Sequence, residues 1–362
     1  MGKLKIGIAG AGGMAFYHYG GFVKAGAEVA AIADPDIERA RAFGEPRNIK
    51  TFYKSLNEML AGSPELDAVS VITPNKYHKP LVIEALEKGR HVFCEKPPAL
   101  NAAEMRQMLD AAKKSGKTLM FDFNNRARPE SKAIKRYIDE GRVGRINSAQ
   151  ALWIRRNGIP GFGGWFTTRA LSGGGAVIDL PHMLDLALWF MDYPEPDYLL
   201  GAAYYDFMDN RAFKGPWGIP DAEGGITDVE SACHAMITFK TGQTLITRSS
   251  WAEMNEREVV SVSFQGQKAG GKVERLFGID GLDETSIDTS KLFVEEYGRQ
   301  ADLLIKTEKD DTMGRVACAA NFIEALEGKA EALNTPEQAL IIMKIIDAMY
   351  ESAASKKPVR ID

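Results

Sequence analysis

Residues 4–15, LKIGIAGAGGMA, decide the fold. The apolar run over 4–9 ends in glycines and predicts a buried parallel strand. Gly10-Ala11-Gly12-Gly13-Met14-Ala15 is a G-x-G-x-x-A loop, and the residues after it, 14–26, read as a helix. A second apolar run, 29–33, ends at Asp34, 22 residues past Gly12. Strand, glycine loop, helix, strand and acid in this order form the dinucleotide-binding pattern. Gly10 permits the tight turn, and Gly12 lets a pyrophosphate approach backbone N–H groups at the helix N-terminus. Gly13, Met14 and Ala15 complete the loop. A carboxylate at Asp34 accepts ribose hydroxyls and repels a 2′-phosphate, which favours NAD over NADP. Arg39 and Arg41 leave a route to NADP open.

Outward from this loop, strands and helices alternate. Helices are expected over 36–43, 55–61 and 80–88, and strands over 68–72, 91–94 and 119–123. Asn101 caps a helix that runs through Lys114, and Gly116 ends it. This alternation predicts βαβ units on a parallel sheet. Beyond residue 125 the pattern changes. A helix over 131–140 leads to strand-like runs at 146–155, 229–239, 244–251 and 259–264, with Lys240-Thr241-Gly242 turning a hairpin. Helices are expected at 181–191, 316–326 and 336–355, and residues 206–227 read as a long loop. The expected fold is α/β: an N-terminal Rossmann domain, residues 1–124, and a C-terminal α+β domain, residues 125–362, with a large, mostly antiparallel open sheet. The final helix could pack back on the first domain.

The chain has 362 residues, enough for two domains at roughly 150 residues each. A net charge of −4, with basic and acidic residues interspersed, gives no field to attract nucleic acid or an anionic membrane. Cys94, Cys233 and Cys318 are far apart, which fits neither a disulfide framework nor a zinc cluster. No metal is expected. No 18-residue apolar run follows the N-terminus, so a cytoplasmic protein is expected.

VITPNKYH at 71–78, followed by CEKPP at 94–98, resembles the glucose–fructose oxidoreductase, inositol dehydrogenase and MocA family. Asn124-Asn125-Arg126, Ser172-Gly173-Gly174-Gly175 and the Asp179-His182-Asp185 segment follow in the family's order, as does the C-terminal helix. The resemblance covers essentially the whole chain. It implies an NAD(P)-dependent dehydrogenase of sugars, polyols or their derivatives. Thr73, Pro74, Asn75, His78, Glu95, Lys96, Pro97, Asn124 and Trp165 would line the cofactor. Arg156, Trp165, Asp179, His182 and Asp185, with Lys96, would meet the substrate. The resemblance also implies a homodimer or homotetramer packed through the open sheet face.

Lys96 follows a buried strand, where a lysine faces the cofactor crevice. Desolvation and a positive nicotinamide would make it a usable base. His182 and Asp185 are three residues apart on a helix opened by Pro181, so they share a face. Lys96, His182 and Asp179 are the expected catalytic residues. Asp179 and Asp185 could instead merely cap that helix. Three departures stand out. Asp179 lies three residues before His182, where the family more often has four with a glycine between. Asp122 stands where the family usually has glycine, and Phe166 where it often has arginine. Two other functions fit the same motifs: an NAD-dependent glycoside hydrolase working through a transient keto-sugar, and a non-catalytic dinucleotide-binding sensor.

Overall fold

The computed structural model describes residues 2–276 and 287–362, and the chain divides into two compact units. The first comprises residues 1–127 and 310–340, and the second residues 128–309 and 341–362.

The first unit carries strands β1 (Lys5–Ala9), β2 (Glu28–Ala33), β3 (Thr51–Tyr53), β4 (Ala68–Val71), β5 (His91–Cys94) and β6 (Leu119–Phe121). They form one sheet in the order β3-β2-β1-β4-β5-β6, and every pair is parallel. This is the doubly wound order, whose switch point lies between β1 and β4. The connecting helices are α1 (Ala15–Lys24), α2 (Ile37–Gly44), α3 (Leu56–Gly62), α4 (His78–Glu87) and α5 (Ala102–Ser115). Asn101 accepts from the Glu104 N–H at the start of α5, and Gly116 ends that helix in the left-handed region. β3, only three residues long, carried no apolar run that the sequence reading could register.

The core joins Ile6, Ile8 and Ile32 of the sheet to Phe22, Phe93 and Phe322. Phe322 belongs to a helix far along the chain (Arg315–Leu326) that packs on α1. Gly21 makes this possible: a Cβ there would lie 2.5 Å from the Ala319 Cβ.

The second unit adds α6 (Pro129–Asp139), β7 (Ile146–Ile154), α7 (Arg169–Ser172), α8 (Pro181–Phe190), β8 (Pro196–Tyr204), β9 (Ala232–Phe239), β10 (Thr244–Ser250), β11 (Val259–Gly266), β12 (Gly270–Leu276), β13 (Ile287–Glu296) and β14 (Arg299–Leu304). The Arg315–Leu326 helix is α9; α10 (Pro336–Ser355) and β15 (Val359–Arg360) complete the chain. The nine strands are ordered β14-β13-β12-β11-β7-β10-β9-β8-β15. Pairing is antiparallel except between β7 and β10. Successive side chains along each strand point to opposite faces of the sheet. Ala149, Ala151 and Trp153 of β7 align with Val260, Val262 and Phe264 of β11 and with Leu245, Thr247 and Ser249 of β10. α8 covers this face, with Phe190 edge-on to Phe264. The opposite face leaves Tyr198, Leu200, Tyr204, Met236 and Ile246 exposed.

Candidate active site

In the first unit, the carboxyl ends of β1, β2, β4, β5 and β6 carry the expected residues. Gly10 follows β1, with φ +104°, and a Cβ there would lie 2.1 Å from the Ile72 carbonyl oxygen. Only glycine fits. A Cβ on Gly12 or Gly13 would meet nothing within 4 Å, so the space over the loop is open. Asp34, at the end of β2, is buried. Its Oδ2 accepts from the Ala11 N–H at 2.9 Å and its Oδ1 from the Asp36 N–H at 2.9 Å. It therefore braces the glycine loop as well as ending the strand. Arg39 lies 3.7 Å from Asp34, and Arg41 pairs with Glu45. Met14 precedes α1 and Ala15 begins it, so the loop's free N–H groups stand at a helix start.

Thr73 follows β4, and its Oγ1 is buried without a hydrogen-bond partner. An orphaned hydroxyl beside an open glycine loop suits a bound polar group, so these residues fit a dinucleotide. Asn75 is buried in the 3-10 turn before α4, and His78 is buried at the start of that helix. His78 sets Nδ1 2.8 Å from the Pro97 carbonyl oxygen and Nε2 2.9 Å from that of Thr73. It thereby ties the Thr73 turn to the Glu95-Lys96-Pro97 turn, whose Lys96–Pro97 peptide is cis. Burial holds its pKa below the usual histidine value. Asn124 turns inward, and its side-chain N–H donates to the Met313 carbonyl at 2.6 Å.

The sequence reading missed His18. It sits on α1, fully buried, with Nδ1 2.8 Å from Ser70 Oγ and Nε2 3.0 Å from Glu95 Oε1. Asp122 Oδ2 is 3.6 Å from the same nitrogen. The available signal was its place one turn past the loop, on the helix face that meets the sheet. Burial alone would lower its pKa, but Asp122 and Glu95 outweigh that and push it up to about 9. Glu95 is held below the usual carboxylate range because His18 outweighs its burial. Asp122 is raised by burial and by the charge of Glu95.

In the second unit, His182 lies in the first turn of α8 and stacks on Trp153 of β7, centroids 5.0 Å apart. Asp179 does not cap that helix, whose N-cap is Leu180 without a side-chain hydrogen bond. Its Oδ2 instead accepts from Trp251 Nε1 at 2.7 Å. Asp185 Oδ1 accepts from the Tyr193 hydroxyl at 2.5 Å. These partners are distant in sequence or beyond the helix end, and no local pattern reveals them. Glu230 is another residue the reading missed. Its Oε1 accepts from the Gly175 and Val177 N–H groups, at 2.8 and 3.0 Å, and its Oε2 from the Tyr350 hydroxyl at 2.9 Å. It thus fixes the turn that leads to Asp179 and His182.

Arg155, rather than Arg156, is the buried arginine, paired with Glu258 at 2.9 Å. Arg156 donates its backbone N–H to Glu258 Oε1 and keeps its guanidinium near the Glu256 carbonyl. Trp165 stacks on Phe166 at 3.7 Å. The loop over 206–227 is stitched to this segment: Phe162 and Gly163 donate to Asp221 and Thr227, and Lys214 pairs with Asp221.

Comparison with known proteins agrees with this geometry. Residues 4–123 match the family model for the NAD-binding Rossmann fold of the GFO/IDH/MocA oxidoreductases, and residues 135–361 match the model of its C-terminal α/β domain. The chain is 29% identical over 362 residues to D-glucoside 3-dehydrogenase of Escherichia coli K12, covering 99% of this chain and 97% of that protein. It is 31% identical over 237 residues to levoglucosan dehydrogenase of Pseudarthrobacter phenanthrenivorans, covering 59% and 56%. A solved structure of a levoglucosan dehydrogenase with NADH and L-sorbose superposes over 100% of both chains, with a TM-score of 0.84 and 21% identity. A glycine loop backed by Asp34, a Glu-Lys-Pro turn after β5, and both family models over their expected spans lead to one conclusion: this chain belongs to the GFO/IDH/MocA family of NAD-binding oxidoreductases.

Proposed function

We propose that this chain is an NAD-dependent dehydrogenase acting on a CH–OH group of a sugar, polyol or sugar derivative. The observation that carries this reading is the carboxyl edge of the first unit's sheet, where the open Gly12 loop, buried Asp34 and orphaned Thr73 hydroxyl accompany a lysine two residues past β5. NAD, when bound, supplies the hydride acceptor. Gly10 to Ala15 would hold its pyrophosphate, and Asp34 its ribose. Thr73, Pro74, Asn75, His78, Glu95, Pro97, Asn124 and Trp165 would line it. Lys96 takes the proton from the substrate hydroxyl as hydride leaves the carbon, and His182 and Asp179 assist. Trp153 stacking fixes the plane of the His182 ring, and Trp251 fixes the Asp179 carboxylate. Asp185, Arg156 and Trp165 contribute to substrate recognition. Relatives named for a glucoside and for levoglucosan favour a pyranose without a free anomeric hydroxyl.

The test is NADH formation with NAD against methyl glucosides, levoglucosan, free sugars and inositols, with chromatography of the products. NADH appearing with a keto product supports the reading. Glycoside cleavage without NADH supports the hydrolase, and NAD binding without turnover supports the sensor.

The exposed sheet face suits assembly of copies of this chain into a homodimer or homotetramer. Five large apolar side chains on one face form a patch of the kind that associates.

A further inference from the structure

Three buried ionisable side chains meet in the first unit. His18, Glu95 and Asp122 come from α1, the turn after β5 and the end of β6, and one side-chain nitrogen or oxygen of each lies within 4.8 Å of the others. Two carboxylates thus face one imidazole. His18 Nε2 donates to Glu95 Oε1, and Glu95 Oε2 in turn accepts from the backbone N–H of Lys96 at 3.1 Å. The Glu95 backbone N–H is fixed to the Val71 carbonyl at 3.0 Å. The turn that presents Lys96 is therefore held from beneath by one carboxylate, and that carboxylate is oriented by His18. Phe93 packs against the ring at 4.8 Å, and Ser70 takes its other nitrogen, so the ring has little freedom.

We propose that His18 is a positioning residue for the Lys96 turn, acting through Glu95, and that Asp122 keeps its ring charged. This rests on the reading of Lys96 as the base. A charged ring adds ion-pair attraction to the hydrogen bond that it donates to the Glu95 carboxylate. It also keeps Glu95 ionised, so that Oε2 remains a full acceptor for the Lys96 N–H. Asp122 is the added element. Its carboxylate is buried, and its Oδ2 faces His18. Without it, burial favours a neutral ring more strongly. The other groups facing the cluster are the Ser70 hydroxyl, the Cys318 thiol beside Asp122, the charges of Lys96 and Arg315 acting on Glu95, and His78 and the Cys94 thiol, which feel the Glu95 charge. Because His18 lies on the helix that begins at the glycine loop, the same contact couples that loop to Lys96.

Hydrogen–deuterium exchange of the full chain tests this directly. Pro97 and Pro98 carry no amide proton, so in a peptide over 93–99 the Lys96 amide stands out among few. Slow exchange is expected in the native protein. His18→Ala should raise it about tenfold or more, and His18→Gln, which can still donate to Glu95, should restore much of the protection. In Asp122→Asn, after correction for intrinsic exchange, protection should be lost at a pH at least one unit lower than in the native protein. With levoglucosan and methyl glucoside as probes, His18→Ala should lower kcat at least tenfold, while the Kd for NAD stays within about threefold. A purely structural role would lower thermal stability without moving the pH of protection loss. Unchanged Lys96 exchange in His18→Ala overturns the proposal, as does an unmoved pH in Asp122→Asn. A stoichiometric divalent metal in the purified protein that is lost in Asp122→Asn also overturns it, because the metal would occupy the place of the Nε2 proton. Exchange does not depend on Lys96 acting as a base. Native turnover in Lys96→Ala would therefore defeat that reading separately.

Discussion

The indole N–H of Trp251 donates to Asp179 Oδ2 at 2.7 Å, and both side chains are buried. Trp251 follows β10, whereas Asp179 precedes α8, so one bond joins the sheet to the turn before His182. Trp251→Phe keeps an aromatic ring, removes the donor and leaves a small void in a fully buried position. We expect a loss of about 1–3 kcal/mol, measured by urea unfolding. A larger fall in kcat than in substrate affinity should accompany it. Unchanged stability would mean that water or another donor replaces the indole.

Glu230 offers a sharper contrast. Burial raises its pKa, so the carboxylate's contribution to stability is greatest at low pH and declines as pH rises through its folded value. Glu230→Gln keeps an oxygen for Gly175 and Val177 and removes the buried charge. It should match or exceed native stability at pH 8. Glu230→Ala should cost about 2–4 kcal/mol, because two backbone donors and the Tyr350 hydroxyl lose their partner together. Thermal melts of both variants at pH 6 and 8 check the sign.

The glycine loop separates folding from binding. Gly10→Ala places a Cβ against the Ile72 carbonyl in left-handed backbone, so a loss of at least 2 kcal/mol in stability is expected. Gly12→Ala meets no protein atom within 4 Å. It should leave the melting temperature within about 2 °C while weakening NAD at least tenfold, as measured by calorimetric titration. Equal NAD affinity in Gly12→Ala would contradict the placement of the pyrophosphate.

His18 makes stability depend on alkaline pH. Its folded pKa, about 9, lies above the ordinary 6.5. Its stabilisation is therefore complete below pH 6.5 and is lost as pH rises through about 9. The melting temperature of the native protein should fall more steeply between pH 7 and 10 than that of His18→Gln. Parallel curves would show that the ring is neutral.

The open sheet face carries Leu200 and Ile246 in the exposed set. Leu200→Glu with Ile246→Glu should shift the mass seen by light scattering from an oligomer to a monomer at micromolar concentration. An unchanged oligomer would place the interface elsewhere.

Much of this architecture was legible from local chemistry. Gly10, Asp34, Asn101 and Gly116 each announce a backbone event within a few residues, and the structure places all four as expected. β8, β12, β13, β14 and β15 were not legible. Their residues are half-exposed or mixed in character, and they are strands because neighbours in the sheet pair with them. The site divides the same way. Lys96 and His182 stand out through motif and helix position. Trp153, Tyr193, Trp251 and Glu230 act through contacts that only the folded chain creates. His18 stood in the open one turn after the glycine loop, but a lone histidine on an apolar helix face gives no sign of two carboxylates from other strands.

The most direct test of the central claim is the NAD-dependent oxidation of levoglucosan and methyl glucosides by the native protein and Lys96→Ala, with NAD affinity measured alongside. NADH and a keto product are expected from the native protein. In Lys96→Ala a fall in kcat of about 10²-fold or more is expected, in the range for loss of a positioned base, with NAD still bound. Native-rate NADH formation by Lys96→Ala would contradict the claim.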